Sequence, residues 1–225
     1  MGFIRPSIVI DRQEDLHGHT LFQQGSIGAV FLGARNLQAQ VLVRPGEKVL
    51  VGGKTLQQTY GTWLVQIDPS RRFTRVLLQV RQGQSIDFAN ARTGNGVSAQ
   101  FTAIVRPIDR TTFELDASRE WLNAGGGRLY TANVERLRSL YSFTSNSIVR
   151  LILQYDDVNR NPSRYTFAVP QHSGTFLGSL LYSYKLNWQT VLFVGYGDDR
   201  VLTPTNDLVR ADRSVFFKVS YALQM

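Results

Sequence analysis

The chain has no cysteine and only three histidines among 225 residues. The missing thiols exclude a disulfide scaffold, a thiolate metal site and a cysteine nucleophile together. Long apolar runs are missing too; stretches such as Val191 to Val194 are the longest kind present. A transmembrane helix needs about 20 consecutive apolar residues, so none is encoded. That leaves barrel strands open, because their signal per segment is far weaker. Lysine is scarce: 4 Lys stand beside 21 Arg and 17 acidic residues, for a net charge of +8. An excess of that size first suggests nucleic acid. The opening MGFIRPSIVIDRQED lacks the long apolar core and small-residue cleavage site of a signal peptide. An exported protein would then be present as a mature or truncated piece of a longer precursor.

What is present is alternation by two. Helical spacing is almost absent; residues 133–141 are the best helical candidate and carry no clear apolar stripe. In residues 112–121, Phe113, Leu115, Ala117 and Trp121 share one parity, and Thr112, Glu114, Asp116, Ser118 and Glu120 the other. Residues 97–106 set Val97, Ala99, Phe101, Ala103 and Val105 against Ser98, Gln100 and Thr102. The last strand sets Val215, Phe217, Val219, Tyr221, Leu223 and Met225 against Ser214, Lys218, Ser220 and Gln224. Segments 37–43, 73–82, 147–156 and 175–186 behave likewise. Successive strand side chains point to opposite faces, so each segment has one apolar and one polar face.

Turn residues divide the chain into about twelve strands of roughly 9–11 residues, the length of a tilted bilayer span. Short turns are expected at 34–36, 68–72, 107–110, 144–146 and 185–187. Longer Gly- or Asn-rich links are expected at 11–19, 44–55, 83–96, 122–127, 157–173 and 198–213. Short turns at one end and long loops at the other, with an even strand number, predict an all-β, antiparallel up-and-down transmembrane β-barrel of about 12 strands, one domain over residues 1–225. Strand eight changes parity between Val134 and Leu137, which predicts a β-bulge near Glu135. Trp63, Trp121, Tyr141, Phe143, Tyr155, Trp188, Tyr196 and Tyr221 lie near strand ends, as an interfacial aromatic girdle requires.

Several segments resemble a known family: FTRVLLQVRQGQSIDFANARTGNG, RLYTANVERLRSLYSFTSNSIVRLILQYDDVNRNP, SGTFLGSLLYSYKLNWQTVLFVGYGDDR and DRSVFFKVSYALQM. They look like the C-terminal barrel region of the DUF5916 proteins, large bacterial proteins with a carbohydrate-binding family 9-like domain. The similarity covers about residues 68–225. It implies the outer membrane of a Gram-negative-type cell, and a preceding carbohydrate-binding-like sandwich that this chain does not contain. It brings no reaction and no catalytic residues. An alternating apolar last strand is also what the outer-membrane insertion machinery reads; the terminal Met225 departs from the usual aromatic.

With the apolar parity against lipid, the lumen receives Arg75, Gln79, Arg81, Gln100, Glu114, Asp116, Glu120, Arg150, Gln154 and Lys218. Arg119 shares the apolar parity near the outer end, where its head reaches the headgroups. Such rows of both signs form either a selective passage for small polar or saccharide solutes or a salt-bridged filling. Catalysis is weakly encoded. His17 and His19 have no carboxylate pattern suited to a metal. His172 beside Ser173 is adjacency and not a triad. Residues 156–161 miss the Ca²⁺-loop spacing, and Gly125-Gly126-Gly127 lacks a phosphate-loop context. The expectation is a non-enzymatic outer-membrane barrel, a pore or uptake component. The alternative is a non-conducting barrel that anchors or displays a surface carbohydrate-binding-like domain. No cofactor, metal or nucleic acid is called for; the partners are the lipid bilayer, the insertion machinery and a small solute. Arginine in place of lysine suits bidentate pairing inside such a wall, while Arg35, Arg71, Arg72, Arg106 and Arg110 gather at the short turns.

Overall fold

A computed structural model describes residues 2–203 and 205–222. Twelve strands make one antiparallel sheet in strict chain order: β1 (Phe3–Glu14), β2 (Thr20–Leu32), β3 (Gln38–Val51), β4 (Lys54–Ile67), β5 (Phe73–Asp87), β6 (Arg92–Val105), β7 (Thr111–Ala124), β8 (Gly127–Thr144), β9 (Ser147–Arg160), β10 (His172–Lys185), β11 (Thr190–Leu202) and β12 (Leu208–Tyr221). A single 3₁₀ turn, Pro162–Arg164, is the one helical element among the described residues. The meander is thus up-and-down throughout. Each of β1 and β12 has one neighbour, and they do not pair with each other, so the sheet is not closed into a barrel. The final residues of the expected last-strand pattern, Leu223 and Met225, lie outside the described residues.

The pattern of short turns and long loops is not what the structure contains. Strands run for 12 to 18 residues, and of the expected long links only residues 161–171 form an extended loop. Residues 44–55, 83–96 and 122–127 instead continue their hairpins to tight turns at 52–53, 88–91 and 125–126. The physical reason is that glycine and asparagine do not end a ladder whose backbone groups still find partners; the hydrogen-bonded hairpin simply outlasts its apolar stripe. The turns do need glycine: Gly52, Gly53, Gly125 and Gly126 all have positive φ.

Strand β8 also differs from expectation. Its pairing with β7 and β9 is continuous through Glu135, with no bulge there. The irregularities lie at its ends, opposite Leu122–Asn123 and at Ser142–Thr144. Tyr130, Ala132 and Val134 therefore share a face with Arg136 and Arg138. Their parity changes in hydropathy but not in direction, because a polar stripe takes over from an apolar one along the same face.

Following the register across all strands sorts the sheet into two faces. One carries Ile4, Ile8 and Ile10 on β1, then Ile27, Val41, Trp63, Leu78, Phe101, Leu115, Leu137, Leu151, Leu180, Val194 and Phe217 on β2 to β12. The other is mostly polar. Most of these large apolar side chains are exposed, Leu115 at 41% and Phe217 at 67%. Among the described residues only Val30, Ile86, Leu122, Ala124 and Leu129 are buried hydrophobics. The small core of Leu122, Ala124 and Leu129, with Tyr130 and Tyr165 against it, sits at the end of the sheet that carries loop 161–171. That end is called upper below.

Candidate functional site

All ten residues expected on the polar face lie on one face by register. In β4 to β9, Arg81 opposes Thr62 and Ser98, and Ser98 opposes Glu120; Gln79 opposes Gln100; Asp116 opposes Thr102 and Arg136, and Arg136 opposes Gln154; Glu114 opposes Ile104 and Arg138. Arg75 is level with Ile104. The fold brings Gln79, Arg81, Gln100 and Glu120 around one cavity of about 310 Å³, with Gln84 and Ser98. Arg150 and Lys218 stand apart: Arg150 faces Leu140 and Leu181, and Lys218 lies on the edge strand beside Phe193.

All three carboxylates of the row find partners. Arg138 Nη1 donates to Glu114 Oε2 at 2.8 Å, and Thr102 Oγ1 to Asp116 Oδ1 at 2.8 Å. Glu120 accepts from the Tyr130 hydroxyl. Arg136 and Arg138 are site residues that the sequence reading missed, although their parity, opposite that of Leu137, Tyr141 and Phe143, was the signal for the polar face; what the bulge expected at Glu135 misplaced is Tyr130, Ala132 and Val134.

The most built part of the polar face was also missed. Glu47 and Gln58 are each 5% exposed. Gln58 Nε2 and the Tyr60 hydroxyl donate to the Glu47 carboxylate at 2.5 and 2.8 Å. Arg81 donates to Gln58 Oε1 at 3.2 Å and lies 3.7 Å over the Tyr60 ring. Burial of Glu47 is tolerable because two donors and two nearby guanidinium groups, Arg81 and Arg44, compensate its charge. Its orientation depends on an irregularity between Arg44 and Glu47, where Pro45-Gly46 inserts and Gly46 takes φ 65°. Without it, alternation would place Arg44 and Glu47 on opposite faces. The signal was present: Pro-Gly between two alternating segments is a bulge pattern as well as a loop pattern.

At the upper end, loop 161–171 is strapped across the hairpins β5–β6 and β7–β8. Arg164 Nη1 donates to the carbonyls of Ala124 and Gly125. Arg92 bridges Asp87 at 2.9 Å and the Arg164 carbonyl at 2.7 Å. Thr166 bonds the Asn90 amide oxygen, and Asn161 N–H bonds the Leu129 carbonyl. Tyr165 adds apolar contact against Leu122 and Leu129.

The aromatic set divides by level. Trp121, Tyr155 and Tyr196 lie on the apolar face towards the upper end, and Tyr141, Phe143 and Tyr221 towards the lower end. Trp188 lies in the lower turn between β10 and β11. Trp63 departs from the expectation: Gly61 lies above it and Val65 and Ile67 below, so it sits within the apolar band. Tyr182 and Tyr184 extend the lower level.

The catalytic candidates do not assemble. Adjacent strand residues point apart, so His172 and Ser173 occupy opposite faces. His172 Nε2 meets Asp157, and its Nδ1 lies 2.7 Å from Asn206 Oδ1, while Ser173 accepts from Arg160 at 2.7 Å. The Asp157 carboxylate, and then the Asn206 amide, hold the His172 pKa above its usual value. The Asp15 carboxylate closes the first upper turn by accepting from the backbone N–H groups of His17 and His19 at 2.8 Å. The backbone N–H of His19, then its ring, keep the Asp15 pKa below the usual range. No group of three or more metal-ligating side chains occurs among the described residues. Residues 156–160 are strand, not a cation loop.

No protein-family model matches the chain, and no curated protein matches it.

Proposed function

We propose that this sheet is the wall of an outer-membrane β-barrel, with its apolar face against lipid and its polar face lining a passage for small polar or saccharide solutes. The observation that carries this reading is the exposed apolar face set against so small a core. Contiguous exposed apolar area on this scale marks a surface that something apolar covers. From Phe176 to Tyr184 the outward residues of β10 cover about 27 Å of strand, or roughly 20 Å of height at a tilt near 40°. That suits a thin outer membrane. In this reading β1 and β12 are paired, to each other or to further strands, since an open edge cannot face hydrocarbon. The outward Val215, Phe217, Val219 and Tyr221 serve as the signal for the insertion machinery, and the DUF5916 resemblance is consistent with the same location.

A second reading is favoured by the strap of loop 161–171 and by the satisfied Glu47 cluster: a filled, non-conducting barrel that anchors or displays a surface carbohydrate-binding-like domain. Single-channel recording in planar bilayers separates the two. The pore reading expects discrete conductance whose ion selectivity changes in Arg81→Ala. Absence of conductance from the native chain, and from Arg75→Ala and Arg81→Ala, overturns it.

A further inference from the structure

We infer that the upper outer wall carries a binding site for a phosphate-bearing lipid headgroup, built on Arg119 and Arg128; the inference rests on the membrane reading above. On β7, β8 and β9 the apolar face gives way to polar residues towards the upper end. On β7 the outward order is Phe113, Leu115, Ala117 and then Arg119 and Trp121. On β8 it is Leu137, then Glu135, Asn133 and Thr131, and on β9 Leu153, Tyr155 and then Asp157. Just above that boundary a groove of about 700 Å³ opens between β7, β8 and β9, lined by Arg119, Arg128, Thr131, Asn133, Asp157 and Asn159 among others.

The charges in this groove are unequally satisfied. Asp157 is already engaged by His172 and by the Asn133 amide at 3.3 Å. Elsewhere on this upper wall Arg12 pairs with Glu14, and Arg200 and Arg210 with Asp198. Arg119 and Arg128 have no carboxylate within 4.0 Å among the described residues, although Glu135 is the next outward residue from Asn133. Arg128 lies over the Trp121 ring at 5.4 Å. That stacking steadies its guanidinium while leaving its N–H donors free. Two planar donor forks, amide and hydroxyl donors from Asn133 and Thr131, and the apolar Ala117 and Tyr155 beneath on the flanking strands fit an amphiphile with a phosphate at its head and chains below. Guanidinium groups match phosphate oxygens bidentately. A soluble anion would have no use for these apolar side chains, which is why the lipid is the assigned source.

The experiment uses the full chain refolded in detergent micelles, with a diphosphorylated glycolipid as the probe and retention read by native mass spectrometry. The expected result is retention of the glycolipid that falls roughly tenfold or more in the double variant Arg119→Gln/Arg128→Gln. Arg71→Gln/Arg72→Gln, at the lower turns, leaves retention unchanged, and the dephosphorylated glycolipid is not retained. Equal retention by the double variant overturns the site. Full competition by inorganic phosphate at equal concentration overturns the lipid assignment in favour of a free anion. A chain that inserts into vesicles but retains no glycolipid refutes this inference and leaves the membrane reading standing. A chain that folds in buffer and ignores vesicles refutes both.

Discussion

Replacing Leu115 by arginine separates a lipid-facing sheet from a water-facing one. Leu115 is 41% exposed, and its outward neighbours across the sheet are Ala103 and Leu137. Arg119, four residues further along the strand, marks the upper margin of the apolar band. Four residues are about 14 Å of strand, or roughly 10 Å of depth at a tilt near 40°. Leu115 therefore lies close to the middle of the band. An arginine at the midplane of a barrel's lipid face costs about 2–4 kcal/mol, and one near the interface about 0–1 kcal/mol. On a hydrated surface the same substitution changes stability by about 0.5 kcal/mol or less. The assay is reversible denaturant unfolding in lipid vesicles, followed by tryptophan fluorescence. Leu115→Arg is compared with Gln82→Arg, which lies beyond Val80 on the same face at the upper margin. A loss of 2 kcal/mol or more for Leu115→Arg and of 1 kcal/mol or less for Gln82→Arg is expected. Equal, small losses for both would refute the reasoning, because depth would then have no energetic meaning.

Other outcomes follow from the upper end of the sheet. Leu129 is fully buried against Leu122 and Tyr130, so Leu129→Ala costs about 2–5 kcal/mol in the same unfolding assay. Arg164→Ala removes the guanidinium that ties loop 161–171 to the Ala124 and Gly125 carbonyls. Charge-assisted bonds of this kind are worth about 2 kcal/mol, so amide exchange in the loop speeds up roughly 30-fold while exchange in β9 and β10 holds. His172 titrates above about 6.5 by NMR, and Asp157→Asn brings it back towards that value. Because the folded pKa is raised, the stabilisation from this contact is complete below pH about 6.5 and fades as pH rises through the folded pKa. A midpoint at or below 6.5 in the native chain would contradict the contact.

The pattern of alternation made much of this architecture legible before any coordinates. Period two is a local property: once Phe113, Leu115 and Ala117 share a parity, the pleat alone decides that Glu114 and Asp116 point the other way. The ten polar-face residues were found for that reason, and so was the strand number. Turn chemistry was a weaker guide. The Gly- and Asn-rich stretches 83–96 and 122–127 look like loops in one dimension, yet a partner strand keeps their backbone bonded. Composition does not report where a ladder stops.

Residue type and parity alone, then, determined twelve two-faced strands, the apolar face and the division of an arginine excess between a polar face and the short turns. Only the tertiary structure decided which polar residues meet. The Pro45-Gly46 irregularity turns Glu47 towards Tyr60 and Arg81, the unbroken register of β8 gives Glu114 its Arg138, and the 161–171 strap covers the upper end. Those meetings depend on register between strands and on one loop's path over distant hairpins. Both are long-range choices, made by cross-strand pairing and burial rather than by any residue's own neighbours in the chain.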